Sequence, residues 1–321
     1  MSQETATASG NRIGVSELFA QIALEESIGV ERADVQLGHC IAVVRTLPAI
    51  AADTHSFFGP LTRAMRSRAV GLGCDMLLCA PSSDNWLEMD IVERCVEHGA
   101  NGLVVLGGSD GNPDILRARW PGLPVVFVEY DTIGMHSAHM GLDNEAAMSD
   151  IVLHLAQKHS KIAHITGMLD TRVGQERLNG YRSTLRRLGH PLRPEYIEGG
   201  DFFLPSAYAA TKRLLALDDP PDAIACVADV AAVAAIKAIE EAGLRCPEDV
   251  AVTGFDDAAW ATSLTPSLTT VRQPIQQMGE AAIDSLVAML ANPDSDPPVM
   301  LLPGELIVRE SCGAQPGERT T

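Results

Sequence analysis

Val250-Ala251-Val252-Thr253-Gly254-Phe255-Asp256-Asp257 is the stretch from which the rest of the chain is read. Its first six positions form an apolar, β-rich run too short for a helix. It lacks the polar alternation of a half-exposed strand, so it reads as a strand buried on both faces, as strands of parallel sheets are. Asp256 stands just past its carboxyl end, where open α/β sheets bind ligands. Asp256 is therefore read as a ligand contact, the alternative being that it caps a following helix.

Working outward, the same grammar repeats along the chain. Short β-rich runs (40–45, 75–79, 102–106, 125–128) alternate with helical periodicity (57–71, 86–99, 113–120), the pattern of a doubly wound parallel sheet. It then restarts with helices over 144–157, 172–189, 206–217 and 230–243, interleaved with strands at 162–166, near Tyr196, at 223–227 and at 250–255. Pro274 opens a further amphipathic helix to Leu290, a Pro/Asp-rich turn follows to Pro298, and a last β segment spans 305–308. The predicted fold is α/β with two such lobes, because 321 residues exceed what one core usually holds. Before Cys40, one helix is predicted over 15–30, opened by Ser16 and closed near Gly29.

A chain with 46% hydrophobic but only 4% aromatic residues must build its core from Val, Ile, Leu and Ala, which suits helices on parallel strands. The net charge of −18 repels a polyanion and serves solubility. Seven cysteines show no CxxC and no zinc-ligand spacing, so reduced thiols and no metal are expected. No secretory h-region and no apolar run of about 18 residues is present, which predicts a cytoplasmic protein without a membrane partner. Gly71-Leu72-Gly73 lacks the third glycine of a dinucleotide turn and precedes a strand instead of following one. With no GxxxxGK[ST], GxSxG or HExxH, neither a cofactor nor catalytic residues are expected. Asp218-Asp219, before Pro220-Pro221, reads as a solvated turn.

Several motifs, in order and spacing, resemble the LacI/GalR family of transcriptional regulators. The most specific is Pro247-Glu248-Asp249 leading into the opening stretch, followed by Leu264-Thr265-Pro266-Ser267-Leu268-Thr269-Thr270-Val271-Arg272-Gln273-Pro274 and Met278-Gly279. Asp143-Asn144, Arg177-Leu178-Asn179-Gly180-Tyr181, Gly200-Asp201-Phe202 and Phe57-Phe58 extend it over nearly the whole chain beyond the leader. The resemblance implies a periplasmic-binding-protein-like core of type I, two lobes joined by three crossovers near Asp143, Arg272 and Met300. It implies a first lobe of 39–142 plus 274–298, a second of 143–272 plus 299–312, a leader of 1–38 and a disordered tail of 313–321. A small effector, a sugar, polyol or nucleobase-like molecule, would close between the lobes.

By position, Arg177 matches the family's clamping arginine, whose planar fork suits hydroxyls or carboxylates. Phe202 matches an aromatic stacked on the ligand, and Phe57 or Phe58 sits where the first lobe presents another; a core role is the rival for each. Asp256, Gln273 and Asp229 match polar contacts, and Glu129 stands where an acid faces the cleft. One departure is Ala228, where the family usually has an asparagine whose amide binds sugar hydroxyls. The resemblance also implies a repressor acting as a homodimer, an expectation supported by the apolar content of the helices over 57–71 and 274–290.

Family members carry a helix-turn-helix head before the first core strand. Residues 1–38 show no such pattern and are net acidic, so DNA binding is expected only if a head is supplied. Three readings stay open: a regulator whose head is lost or encoded upstream, a DNA-independent sensor acting through a partner protein, and an enzyme on the same fold.

Overall fold

Alternation along single strands shows how the sheets acquire two apolar faces. In β1 (Cys40–Arg45), Ile41 and Val43 pack into one core and Ala42 and Val44 into another. In β3 (Gly102–Leu106), Val104 and Leu106 join the first core and Leu103 and Val105 the second. Successive side chains point to opposite faces of a strand, so a continuous apolar run requires cover on both sides.

The computed structural model of the chain describes residues 39–45, 56–79, 89–107, 118–130 and 137–314. The first sheet has the order β11-β5-β4-β3-β1-β2, all neighbours parallel. It adds β2 (Asp75–Cys79), β4 (Val125–Val128), β5 (Ala138–Leu142) and β11 (Val299–Leu302) to β1 and β3. Helices α1 (Phe58–Gly71) and α2 (Met89–Glu97) follow β1 and β2. The second sheet, β7-β6-β8-β9, is also parallel. It comprises β6 (Ile162–Ile165), β7 (Ile197–Glu198), β8 (Ala223–Cys226) and β9 (Ala251–Thr253). Its helices are α3 (Asn144–Leu155), α4 (Arg172–Leu188), α5 (Leu204–Leu215) and α6 (Asp229–Glu241). Two cores enclose this sheet as well, Ile224 and Cys226 facing one and Ala223 and Ala225 the other.

Local signals place the helices that matter for the site. Asp143 caps α3 by accepting from Ala146 N. Thr171 caps α4 through Gly174 N, and Gly189, at φ 71, ends it, a left-handed position that favours glycine. Ala228 stands at the N-cap of α6 with no side chain to accept a bond and is buried in the second-lobe core.

The chain passes between the lobes three times. It leaves the first sheet at the junction of β5 and α3. It returns after β10 (Thr270–Arg272) into α7 (Ile275–Ala291), which packs against α1; Gly279 lies so close that an added Cβ would sit 2.7 Å from Ala64 Cβ. The third passage corrects the expected boundary. Residues 299–302, assigned from sequence to the second lobe, pair as β11 with β5 in the first sheet. The crossing therefore falls at Pro303-Gly304, after which β12 (Glu305–Ile307) pairs antiparallel with β10. The four apolar residues of β11 lie between prolines and carry little local strand signal. Their place is an edge, the position that tolerates flanking proline.

The helix expected over 15–30, the leader and residues 315–321 lie outside the described residues, as does most of the helix expected over 113–120.

Candidate functional site

Polar side chains gather at the carboxyl ends of the strands, where the chain passes between the lobes. Glu129 follows β4 and is buried. Leu142 N donates to its Oε1 at 2.6 Å and Asn144 Nδ2 to its Oε2 at 3.0 Å. Burial pushes its carboxyl pKa up, opposed by these bonds and by the positive field of Arg177. Asn144 in turn accepts from Arg177 Nε at 2.9 Å. One amide thus links an acid of the first lobe to a base of the second.

Arg177, on the second turn of α4, is 4% exposed. Its Nη1 donates to Val227 O at 2.6 Å, and its guanidinium lies 3.5 Å from the centre of the Phe255 ring. Burial pulls its pKa down, and the fields of Asp256, Glu129, Glu176 and Asp229 pull it back up. Two arms are committed to the protein, while Nη2 makes no hydrogen bond among the described residues.

Asp256 accepts from Gln273 Nε2 at 2.7 Å and from the Ser56 hydroxyl, which belongs to the first lobe. Gln273 is itself buried, and its Oε1 has no hydrogen-bond partner among the described residues. The backbone here is strained. Among the described residues, four non-glycine positions have positive φ: Glu129 (53°), Phe202 (67°), Asp256 (132°) and Asp257 (56°). Such conformations cost about 1–3 kcal/mol each and cluster where function requires them. Arg272 and Arg309 hold Asp257 from two sides.

Phe202 is half-buried, and its ring covers Gly167, just past β6; a Cβ on Gly167 would lie 2.2 Å from Phe202 Cζ. The ring reaches this place because that residue has no side chain.

For two expectations the structure shows a role within the protein itself. Phe57 and Phe58 are buried in the core between α1, α7 and the first sheet, in edge-to-face contact with centroids 5.2 Å apart. Their packing favours the core role that the sequence had left as the rival. Asp229 is fully buried, its Oδ2 accepting from Ala258 N at 2.7 Å and its Oδ1 from Thr270 Oγ1 at 2.5 Å. Its carboxylate braces the turn that presents Asp256, with each oxygen accepting one hydrogen bond from the protein.

Burial, aided by the charge of Asp256, pushes the Asp229 pKa up to about 7, against about 3.9 for an unfolded aspartate. Its contribution to stability is therefore full below pH ~4, declines by up to about 1.4 kcal/mol per pH unit toward pH 7, and is flat above. Asp229→Asn removes the ionisation. Thermal melts between pH 5 and 8 are expected to show the wild type losing stability relative to the variant as pH rises, and parallel curves would refute this account.

Sequence reasoning missed Ser56 and the side chain of Asn144 as site groups. It also missed His139 on β5, which accepts at Nε2 from Arg172 of α4, while Arg172 Nε donates to Glu176 at 2.6 Å. Only the Asp143-Asn144 motif hinted at one of them.

Comparison with known proteins decides the family. A periplasmic binding protein-like domain matches residues 153–312. The Escherichia coli ribose operon repressor is 31% identical over 247 residues, covering 76% of this chain and 74% of the repressor. The chain belongs to the LacI/GalR family. Solved LacI/GalR structures agree: the transcriptional regulator CelR in complex with cellobiose superimposes with a TM-score of 0.79 at 26% identity, over 85% of this chain and 84% of CelR. A LacI family regulatory protein from Chloroflexus aggregans gives 0.75 at 28% identity, over 85% and 98%. The named LacI/GalR relatives are transcriptional repressors, and the two-lobed α/β fold is theirs. No helix among the described residues is long and apolar enough to cross a membrane.

Proposed function

We propose that this LacI/GalR member senses a small polyhydroxylated effector, a sugar or polyol or a nucleobase-like molecule of similar hydrogen-bonding character, held between its lobes to control a repressor. One observation carries the reading. Beside Asp256, the buried amide oxygen Gln273 Oε1 has no hydrogen-bond partner among the described residues, and the guanidinium arm Arg177 Nη2 makes no hydrogen bond among them. Buried polar groups are almost always satisfied, and an unused donor near an unused acceptor suits a ligand that offers both, as a hydroxyl does. Phe202 supplies an apolar face for the C–H side of a ring, and the CelR–cellobiose complex supports the ligand class.

A thermal-shift screen over sugars, polyols and nucleobases tests this. An effector at 100 times its Kd stabilises by about 2.7 kcal/mol, expected to raise Tm by roughly 4 °C in a chain of this length. No shift across the three classes would overturn the reading. The bond between Ser56 and Asp256 joins the lobes in the arrangement described, and binding is expected to shift an open/closed equilibrium. An unchanged radius of gyration in X-ray scattering with a stabilising effector would count against closure.

The same proposal includes a homodimer. The apolar residues of α1 and α7 on which the sequence argument leaned lie mostly in the core. Among the described residues, the most exposed large apolar side chains are Val299 (74%) and Leu301 (51%) on the edge strand β11 and Val70 at the end of α1. An apolar edge left bare favours association. Light scattering at micromolar concentration should report twice the chain mass; a monomer would refute this part. DNA contact is assigned to a helix-turn-helix head wherever one is supplied.

A further inference from the structure

We propose that Cys79 and Cys95 form a reversible dithiol–disulfide site in the first lobe, oxidised by a hydroperoxide and restored by a thiol. Cys79 ends β2 and is half-buried, while Cys95 is buried on the face of α2 packed against the sheet. Cys95 Sγ donates to Cys79 Sγ at 3.1 Å. All seven cysteines are free, and among the described residues this is the one pair with sulfurs in contact. The others are bonded elsewhere or stand apart: Cys74 to Leu72 O, Cys246 to Ser311 O and Cys312 to His154 and Thr269. Closing the bond requires the sulfurs to approach by only about 1 Å, to the ~2.05 Å of a disulfide.

The two sulfurs are not equivalent. The hydrogen bond from Cys95 brings the Cys79 thiol down to about 7, with Arg94 and His98 adding to the effect against burial. Cys95 is pushed the opposite way by the same bond and by burial. The more exposed sulfur is thus the more acidic one, which suits it as the attacking thiolate, and the buried thiol behind it suits the resolving role.

The step balances with hydrogen peroxide as oxidant. Cys79 thiolate attacks one peroxide oxygen, the O–O bond breaks, and the departing hydroxide takes up a proton as water, leaving Cys79 as a sulfenic acid. Cys95 sulfur then attacks Cys79 sulfur, the S–O bond breaks, and the leaving hydroxide carries off the Cys95 proton as a second water. Two thiols lose two electrons in all, and the peroxide gains them. The product ties the end of β2 to α2 and encloses residues 80–94 in a covalent loop. Thiol–disulfide exchange with dithiothreitol reverses it.

The test uses the full chain, reduced, freed of reductant and treated with hydrogen peroxide, then digested without reduction. The expected product is a linked peptide about 2 Da lighter than the sum of its parts. Fragmentation must assign the link to Cys79, because Cys74 shares its tryptic peptide. Iodoacetamide labelling of both cysteines should fall at least tenfold and return with dithiothreitol. Cys95→Ser should leave Cys79 as a sulfenic acid trapped by dimedone, and Cys79→Ser should leave Cys95 reduced; melting curves check that both variants fold. A link from Cys95 to Cys40 or Cys74, or a pair still reduced once methionines are oxidised, would overturn the proposal. The wild-type result stands even if a variant fails to fold.

Discussion

Replacing Arg177 by methionine is expected to destabilise the chain by about 3–5 kcal/mol, the range for breaking a buried charge cluster from one side, and to abolish stabilisation by any effector found in the screen. The guanidinium satisfies Asn144 Oδ1 and Val227 O and lies among Glu129, Glu176, Asp229 and Asp256. Methionine fills the volume above Phe255 but leaves both acceptors without a donor and the carboxylates without their nearest buried cation. Urea unfolding gives the first quantity and melts with effector the second. Arg177→Lys separates them, because lysine keeps the charge but not the fork that reaches two acceptors with an arm to spare. It is expected to recover part of the stability and little of the effector response. A loss below about 1 kcal/mol in the methionine variant would show that the cluster does not depend on this side chain, well outside the range argued for it.

Gly167→Ala is expected to weaken effector binding by about tenfold or more, near 1.4 kcal/mol, while changing stability by less. The new methyl would occupy the space of the Phe202 ring, with Cζ 2.2 Å away and the two Cε atoms at 2.5 and 2.8 Å. All three are ring atoms of a half-buried side chain, so the ring can swing aside at modest cost. Its position over the ligand is what is lost, and aromatic contacts depend on that placement. Isothermal titration with the effector from the screen measures the change. In a Phe202→Ala background the same glycine substitution should have almost no further effect, a coupling that a double-mutant cycle resolves. Equal effects in both backgrounds would remove Phe202 from the site.

These two positions show how unevenly the site could be read in advance. Arg177, Asp256 and Gln273 were named from motif position, and the structure gathers all three into one buried cluster. Asp229 was named by the same reasoning, yet its carboxylate turns inward to Ala258 and Thr270. Both aspartates follow strands of the second lobe, Asp229 at the start of α6 and Asp256 in the turn after β9, and nothing local distinguishes a carboxylate that faces a cleft from one that braces the neighbouring turn. Phe57 and Phe58 pose the same question, because an aromatic residue at a helix start suits a ligand face and a core equally well.

The sequence by itself determined the layered α/β architecture and its duplication. Apolar runs such as Val250–Phe255 must be covered on both faces, and the amphipathic stretches between them supply the cover. Burial of a segment is written in that segment. Tertiary structure alone decided which sheet β11 joins, which donors each carboxylate accepts from, and that Ser56 and Asn144 join the candidate site. Those outcomes depend on partners distant along the chain: Ser56 and Asp256 are 200 residues apart and Arg177 and Asn144 are 33. A hydrogen bond has a short reach and a required direction, so it is settled only when the lobes are packed and the crossings between them are in place.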